Sequence, residues 1–342
     1  MQKKAIKQLT REDIEGLNIT HKSDIPPLEP IITVDGKIYA FKGGLSMVTG
    51  KTGSGKSTVL RLFISLALLQ TPGQKTFEDL TFDVTPANGK PVIYLNTEMP
   101  DSSLKRRVHD AVLHDLDLKH TPPNFKTLQL IDHSYEERKE FISKILELYP
   151  DTHLLLIDGG ADTVSSVNEE KQSVDAIEEL NQLANRYKTT IINVVHENKG
   201  NGLSRGHYGQ HSERKSSGVM SVEYDKKAKM FNIKSVKIRE MSDFDTISFQ
   251  YDERGNIMQT SATTASQRMN EAKEDDLLAL VLDGFKVKER WKLSEFKKWI
   301  AERTKMSPKT GGRRVDEMFT AAYITTDGTG YIKSLVPVET PF

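Results

Sequence analysis

The chain has 342 residues, no cysteine, and 48 basic side chains against 48 acidic ones. That length accommodates one large or two modest domains with a sizeable core. The missing thiols exclude disulfides, thiolate zinc sites and cysteine nucleophiles, and suit a reducing compartment. Balanced charge excludes a global field aimed at nucleic acid or membrane. The N-terminus, MQKKAIKQLT, is not expected to act as a secretory leader. The longest apolar run, VLRLFISLALL (59–69), carries Arg61 and is too short to span a bilayer. A cytoplasmic protein without a membrane partner is expected.

Residues 1–30 are polar and end in DIPPLEP, which predicts an extended arm with one short helix capped by Thr10. IITVDGKIYAF (31–41) reads as a hairpin turning at Asp35-Gly36. LSMVT (45–49) is a short strand, and STVLRLFISLALL (57–69) a helix. Strands are predicted at PVIYLNTE (91–98), TLQLID (127–132), HLLLIDGG (153–160) and TTIINVVHE (189–197). Helices alternate with them over 101–116, 134–149 and 168–188. Continuous apolar strands between amphipathic helices predict a parallel sheet covered on both faces. From 219 to 259 the pattern changes to short alternating strands, an antiparallel extension.

Residues 259–274 are polar and aperiodic, which predicts a linker. Beyond it, helices are predicted over 275–285, 293–304 (capped near Ser294) and 307–323 (opened by Ser307-Pro308). A two-stranded wing turning at Asp327-Gly328 follows. The expected division is an arm (1–30), an α/β nucleotide-binding domain (31–258), a linker (259–274) and a winged helix-turn-helix domain (275–342).

GKTGSGKS (50–57) satisfies G-x-x-x-x-G-K-[ST] between a strand and a helix, the context that the pattern requires. Gly50, Thr52, Gly53, Ser54, Gly55, Lys56, Ser57 and Thr58 would surround the phosphates of ATP, and the helix N-terminus adds partial positive charge. Lys56 would reach the β- and γ-phosphates, and Ser57 would hold Mg²⁺. Asp158, closing the apolar strand HLLLID, fits the Walker B carboxylate that orients the same ion. No glutamate follows it, so a base must come from another strand. Glu98, at the exit of PVIYLNTE, is the candidate.

A P-loop, a glutamate closing the next strand and a Walker B aspartate without an adjacent glutamate together resemble the RecA-like core. More narrowly they resemble the hexameric helicases of the RepA and DnaB types, over residues 31–258. The resemblance implies an ATPase that forms a ring. It implies that His196, in HENK, senses the γ-phosphate at the end of the strand after Walker B. It also implies basic fingers supplied by the next subunit. SERKSS nominates Arg214, whereas SVKIRE nominates Lys237 and Arg239. The loop 198–215 would face single-stranded DNA in a central channel through Lys199, Arg205, His207, Tyr208 and Lys215, charge beside flat rings.

The C-terminal stretch breaks the neutral balance. Between Lys286 and Arg314, eleven basic residues face three glutamates, a footprint suited to a phosphate backbone. Lys309, Arg313 and Arg314 open the expected recognition helix, with duplex DNA as its partner. Trp291 and Trp299 are expected in the core. The leading expectation is an ATP-dependent, ring-forming DNA helicase or translocase of a plasmid or mobile element. The alternatives are a DNA-binding ATPase that mediates recombination without unwinding, and a regulatory ATPase whose winged helix docks a protein.

Overall fold

Apolar strands that bury both faces need cover on both sides, and the chain supplies it. The computed structural model describes residues 10–69, 80–197, 206–253, 255–260 and 262–337, with backbone alone for 262–273 and Asp275. Of the expected arm, residues 10–29 are described, and all but the half-buried Asp13 are exposed. They hold one short helix, α1 (Arg11–Glu15), whose capping box joins Thr10 to Asp13.

β1 (Pro30–Val34) and β2 (Lys37–Phe41) form the expected hairpin, with Asp35 and Gly36 both at positive φ. β3 (Leu45–Gly50) enters the P-loop and α2 (Lys56–Leu68) leaves it. β4 (Phe82–Val84) then joins β1, so the hairpin extends into a small sheet of order β2-β1-β4. β5 (Val92–Asn96) follows, then α3 (Asp101–Leu104), a π-helical turn (Lys105–His109) and α4 (Asp110–Asp115). Next come β6 (Phe125–Gln129), α5 (Tyr135–Leu148), β7 (Leu154–Asp158) and a 3₁₀ turn (Gly160–Thr163). α6 (Glu170–Tyr187), β8 (Thr190–His196) and α7 (Gly206–Lys215) complete the alternating part. β9 (Gly218–Asp225), β10 (Met230–Ile238), β11 (Ile247–Tyr251) and β12 (Ile257–Thr260) are the antiparallel extension.

Among the described residues the main sheet has nine strands in the order β12-β11-β10-β9-β3-β8-β7-β5-β6. The strands from β9 to β6 in that order are parallel, and β10 to β12 run antiparallel. This is the α/β arrangement expected of a RecA-like P-loop core. Alternation along the buried strands divides their side chains between two layers. Tyr94, Leu154 and Leu156 face α2, α4 and the small sheet, whereas Ile93, Leu155 and Ile157 face α5, α6 and α7. A charge lies within the first layer. Arg61 on α2 donates to Asp115 on α4 through Nε (2.6 Å) and Nη2, and Ser65 adds a hydrogen bond at 3.0 Å. Removing one partner of so buried a pair costs about 3–5 kcal/mol.

The C-terminal unit differs in three places from the sequence expectation. α8 runs over Ala262–Val287, so a helix passes through most of the stretch expected to be a linker. Its apolar residues Leu277, Val281 and Phe285 recur at helical spacing and bury against α9 (Leu293–Arg303) and α10 (Pro308–Thr320). Lys292, not Ser294, holds the N-cap position of α9, without a side-chain capping hydrogen bond. The reason lies in β13 (Trp291–Lys292): pairing with β15 (Tyr331–Ser334) holds Lys292 extended, so Ser294 falls inside the first helical turn. Among the described residues β14 (Ile324–Thr326) completes a three-stranded sheet of order β13-β15-β14, where a two-stranded one was expected. Ser307 caps α10 as anticipated, with Pro308 at the first turn. Trp291 lies in this core, its Nε1 donating to the Gly284 carbonyl at 3.0 Å.

Candidate active site

Parallel strands end at the same edge of a sheet, and here that edge gathers the expected ATPase residues. Gly50 on β3 pairs with His196 on β8, and Asp158 on β7 pairs with Asn96 on β5. Glu98 follows Asn96 by two residues. Four separate sequence segments therefore converge because their strands share a register.

The P-loop itself is built on close approaches. Gly50 has φ +151°, and a Cβ there would collide with the Val222 carbonyl; Gly55, at φ +99°, would collide with Phe231. Side chains at either position would push β9 or β10 off the loop. Lys56, buried, donates to the carbonyls of Gly50 (2.8 Å) and Lys51 (2.9 Å) and stands 3.1 Å from His196 Nδ1. Burial pulls its ammonium below the usual lysine value, against the opposing charges of Asp158, Glu98 and Glu197. Ser54 Oγ is buried without a hydrogen-bond partner among the described residues. An unsatisfied hydroxyl one residue before the N-cap of α2 fits an anionic phosphate at a helix N-terminus.

Ser57 Oγ donates to Asp158 Oδ2 at 2.8 Å, and Tyr94 donates its phenol proton to the same oxygen. Burial nevertheless raises the Asp158 pKa, with those hydrogen bonds opposing the shift. A buried carboxylate beside a hydroxyl is a hard-oxygen pair that could hold a divalent cation. Among the described residues no group of three or more His, Asp or Glu could hold a metal by itself. The pair thus fits an ion shared with phosphate oxygens and water, as Mg²⁺ is usually bound.

Glu98 Oε1 lies 2.7 Å from His196 Nε2. The hydrogen bond from His196 holds Glu98 below the usual glutamate range, and Lys56 adds to that effect. An ammonium only donates, so Nδ1 of His196 accepts from Lys56 and the Nε2–H donates to Glu98. The expected P-loop lysine, sensor histidine and glutamate form one hydrogen-bonded chain. They stand where two clefts meet. One, of about 560 Å³, is lined by the P-loop, Arg61, Arg106, Arg107, Phe231 and Tyr251. The other, of about 1050 Å³, is lined by Lys51, Glu197 and the loop after Asp158.

Sequence reasoning missed several residues of the site. Tyr94 carried a readable signal, because a phenol inside an otherwise apolar strand needs a hydrogen-bond partner. Arg106 and Arg107 did not, because the π-helical turn decides which way they face. Tyr251 and Phe231 come from β11 and β10, with rings 5.6 Å apart, and the Tyr251 hydroxyl lies 3.0 Å from Thr58 Oγ1. Only the sheet order brings them beside α2.

The two segments nominated as fingers come together. Lys237 Nζ donates to the carbonyls of Glu213 (2.7 Å) and Arg214 (3.1 Å), and Arg239 Nη2 donates to the latter at 2.8 Å. Arg214 donates to His211 Nδ1 at 2.7 Å. Burial, then the neighbouring Arg239, lowers the Lys237 pKa. β10 is antiparallel to β9, so Phe231 lies at the P-loop edge and Lys237 at the opposite one. Six residue steps along the strand separate them, about 20 Å at the usual rise. These cations stand apart from their own P-loop.

The expected DNA-facing loop is corrected in part. From Gly206 onward it is the helix α7, which places Tyr208 fully in the core with its hydroxyl 3.3 Å from Asn193 Nδ2. Its ring cannot stack on a base. Lys215 pairs with Glu178 at 2.5 Å, His207 is exposed, and Lys199 and Arg205 lie outside the described residues. In α10, Lys309 and Arg313 are exposed, whereas Arg314 is half-buried and 3.8 Å from Asp276.

A family model described as an AAA domain (AAA_25) matches residues 19–202, a span that contains the P-loop, Glu98, Asp158 and His196. No curated protein matches the chain. Among solved structures, a KaiC-like protein from the hyperthermophilic archaeon Pyrococcus horikoshii OT3 is similar to it. The identity is 16%, the TM-score is 0.48, and the match covers 69% of this chain and 100% of that one.

Proposed function

The chain belongs to the AAA-domain family of nucleotide-dependent ATPases, and on that premise we propose that it hydrolyses ATP as a ring-forming DNA helicase or translocase. The observation that carries this reading is the position of Lys237 and Arg239, at the sheet edge opposite their own P-loop. Cations so placed can serve the γ-phosphate held by a neighbouring subunit, which makes the oligomer the active unit. A six-membered ring acting for a plasmid or mobile element is the form that the sequence resemblance favours.

In this reading Lys56 and the loop amides hold the triphosphate, and the rings of Tyr251 and Phe231 form the floor for the base. Ser57 and Asp158 hold Mg²⁺, which when bound neutralises charge on the β- and γ-phosphates. Glu98, kept ionised by His196, takes a proton from the attacking water. The bond between Pγ and the bridging oxygen breaks, and ADP leaves with the electron pair. The cations of the next subunit stabilise charge on the equatorial oxygens.

For DNA, the support is the basic surplus between Lys286 and Arg314, with Lys309 and Arg313 exposed on α10. The order of α8, α9, α10 and the β14–β15 ribbon suits a winged helix on a duplex. The loss of Tyr208 and the Lys215–Glu178 pair weaken the channel contacts, which favours a second reading: a DNA-stimulated ATPase that assembles without unwinding. Displacement of a labelled strand from a forked duplex, with Glu98→Gln as control, decides. Wild-type displacement supports the helicase. DNA-stimulated hydrolysis without displacement supports the second reading, and indifference to DNA refutes both.

A further inference from the structure

Close packing and buried hydrogen bonds connect the loop after Asp158 to the cations on β10. Asn193 on β8, three residues before His196, is fully buried. Its Nδ2 donates to Ser212 Oγ at 3.0 Å and approaches the Tyr208 hydroxyl at 3.3 Å, both on the inner face of α7. On its other side its Oδ1 lies so close beneath Gly160 that any Cβ there would collide. The Tyr208 hydroxyl also lies against Gly160 of the same 3₁₀ turn, 3.0 Å from where a Cβ would stand. α7 thus hangs from β8 and from the turn that follows Asp158. Immediately beyond Ser212, its carbonyls at Glu213 and Arg214 receive Lys237 and Arg239.

We propose that Asn193 is a positioning residue that sets α7, and through the carbonyls of its last turn sets where Lys237 and Arg239 stand. The turn after Asp158 in one subunit thereby governs the cations which that subunit offers to its neighbour. The inference rests on the reading above that these cations act in trans. Its physical basis is twofold. Carbonyls at a helix C-terminus attract cations, and their position follows the helix. A buried donor also fixes a single seat for α7, whereas an apolar substitute leaves burial intact and lets the helix slide.

The test mixes subunits. Asn193→Leu removes both donations, and Ser212→Ala removes the partner on α7 without touching β8. Each variant alone should lose kcat roughly tenfold, with KM for ATP unchanged, the scale of one misplaced buried hydrogen bond. Mixed with Lys56→Ala subunits, each should regain turnover above the sum of the separate rates. The Lys56→Ala subunit keeps well-placed cations, and the variant keeps an intact P-loop. Arg239→Ala mixed with Lys56→Ala is the reference. If the reference regains activity and the Asn193 and Ser212 mixtures do not, Asn193 acts on its own site and the inference falls. Full activity of both variants alone also overturns it. If the reference itself shows no gain, the trans reading fails and takes the inference with it. Should Asn193→Leu not fold, Ser212→Ala decides.

Discussion

Adjacent glycines in α10 should respond to alanine with opposite signs. At Gly312 a new Cβ would meet nothing nearer than Lys297 Cδ at 3.8 Å. Alanine there gains helix propensity alone, about 1 kcal/mol. At Gly311 the Cβ would lie 2.8 Å from Ala301 Cβ and 3.0 Å from its Cα and N. Two of those atoms are backbone of α9, which cannot rotate away, so the helices must separate. Overpacking of that kind costs about 1–3 kcal/mol, and contact with backbone argues for the upper half. Subtracting the same propensity gain leaves Gly311→Ala destabilised by about 1–2 kcal/mol. The two tryptophans of the chain, Trp291 and Trp299, both pack on Phe296 in this core, so their fluorescence during urea unfolding reads this unit. With a slope of about 1 kcal/mol per molar urea for so small a unit, the two midpoints should separate by about 2–3 M. Shifts of equal sign would refute the account of α9 resting on Gly311.

Glu98→Gln should bind ATP with near-normal affinity yet turn it over at least about 10²-fold more slowly, the usual scale for a lost general base. Single-turnover hydrolysis at the wild-type rate would remove Glu98 from that role. His196→Ala tests the hydrogen bond that depresses the Glu98 pKa. A base works unprotonated, so the acid limb of kcat/KM lies below the usual glutamate range in the wild type and should move to higher pH in the variant; an unmoved limb argues against the pairing. Tyr251→Ala should raise KM for ATP by about 5- to 100-fold with kcat retained, the range for a lost stacking surface. An unchanged KM would mean that the base lies elsewhere.

Much of this molecule was legible because its signals are local. The P-loop needs only a strand, glycines and a helix in succession, and Asp158 and Glu98 close apolar strands that a window of a few residues reveals. The capping of α10 by Ser307, the turn at Asp35-Gly36 and the burial of Trp291 are likewise decided by near neighbours, whereas Trp299, expected in the core, packs half-buried against it. Misreadings fell where polar composition competes with tertiary contacts. The stretch before Asp275 lacks an apolar stripe yet is helical in α8. Tyr208 sits in a glycine-rich, basic sequence, and its ring nevertheless fills the space between α7 and β8.

The sequence by itself determined which residue types stand where strands end: the glycine loop with Lys56 and Ser57 after β3, Asp158 closing β7 and Glu98 just beyond β5. Only the tertiary structure decided how they meet. Strand register places Gly50 beside His196 and joins Lys56, His196 and Glu98 in one chain. Sheet order sets Tyr251 and Phe231 against α2. The antiparallel reversal at β10 carries Lys237 and Arg239 to the far edge, where they meet α7. Those outcomes depend on which strands pair, a choice made by burying whole faces of the sheet, and no single stretch of sequence encodes it.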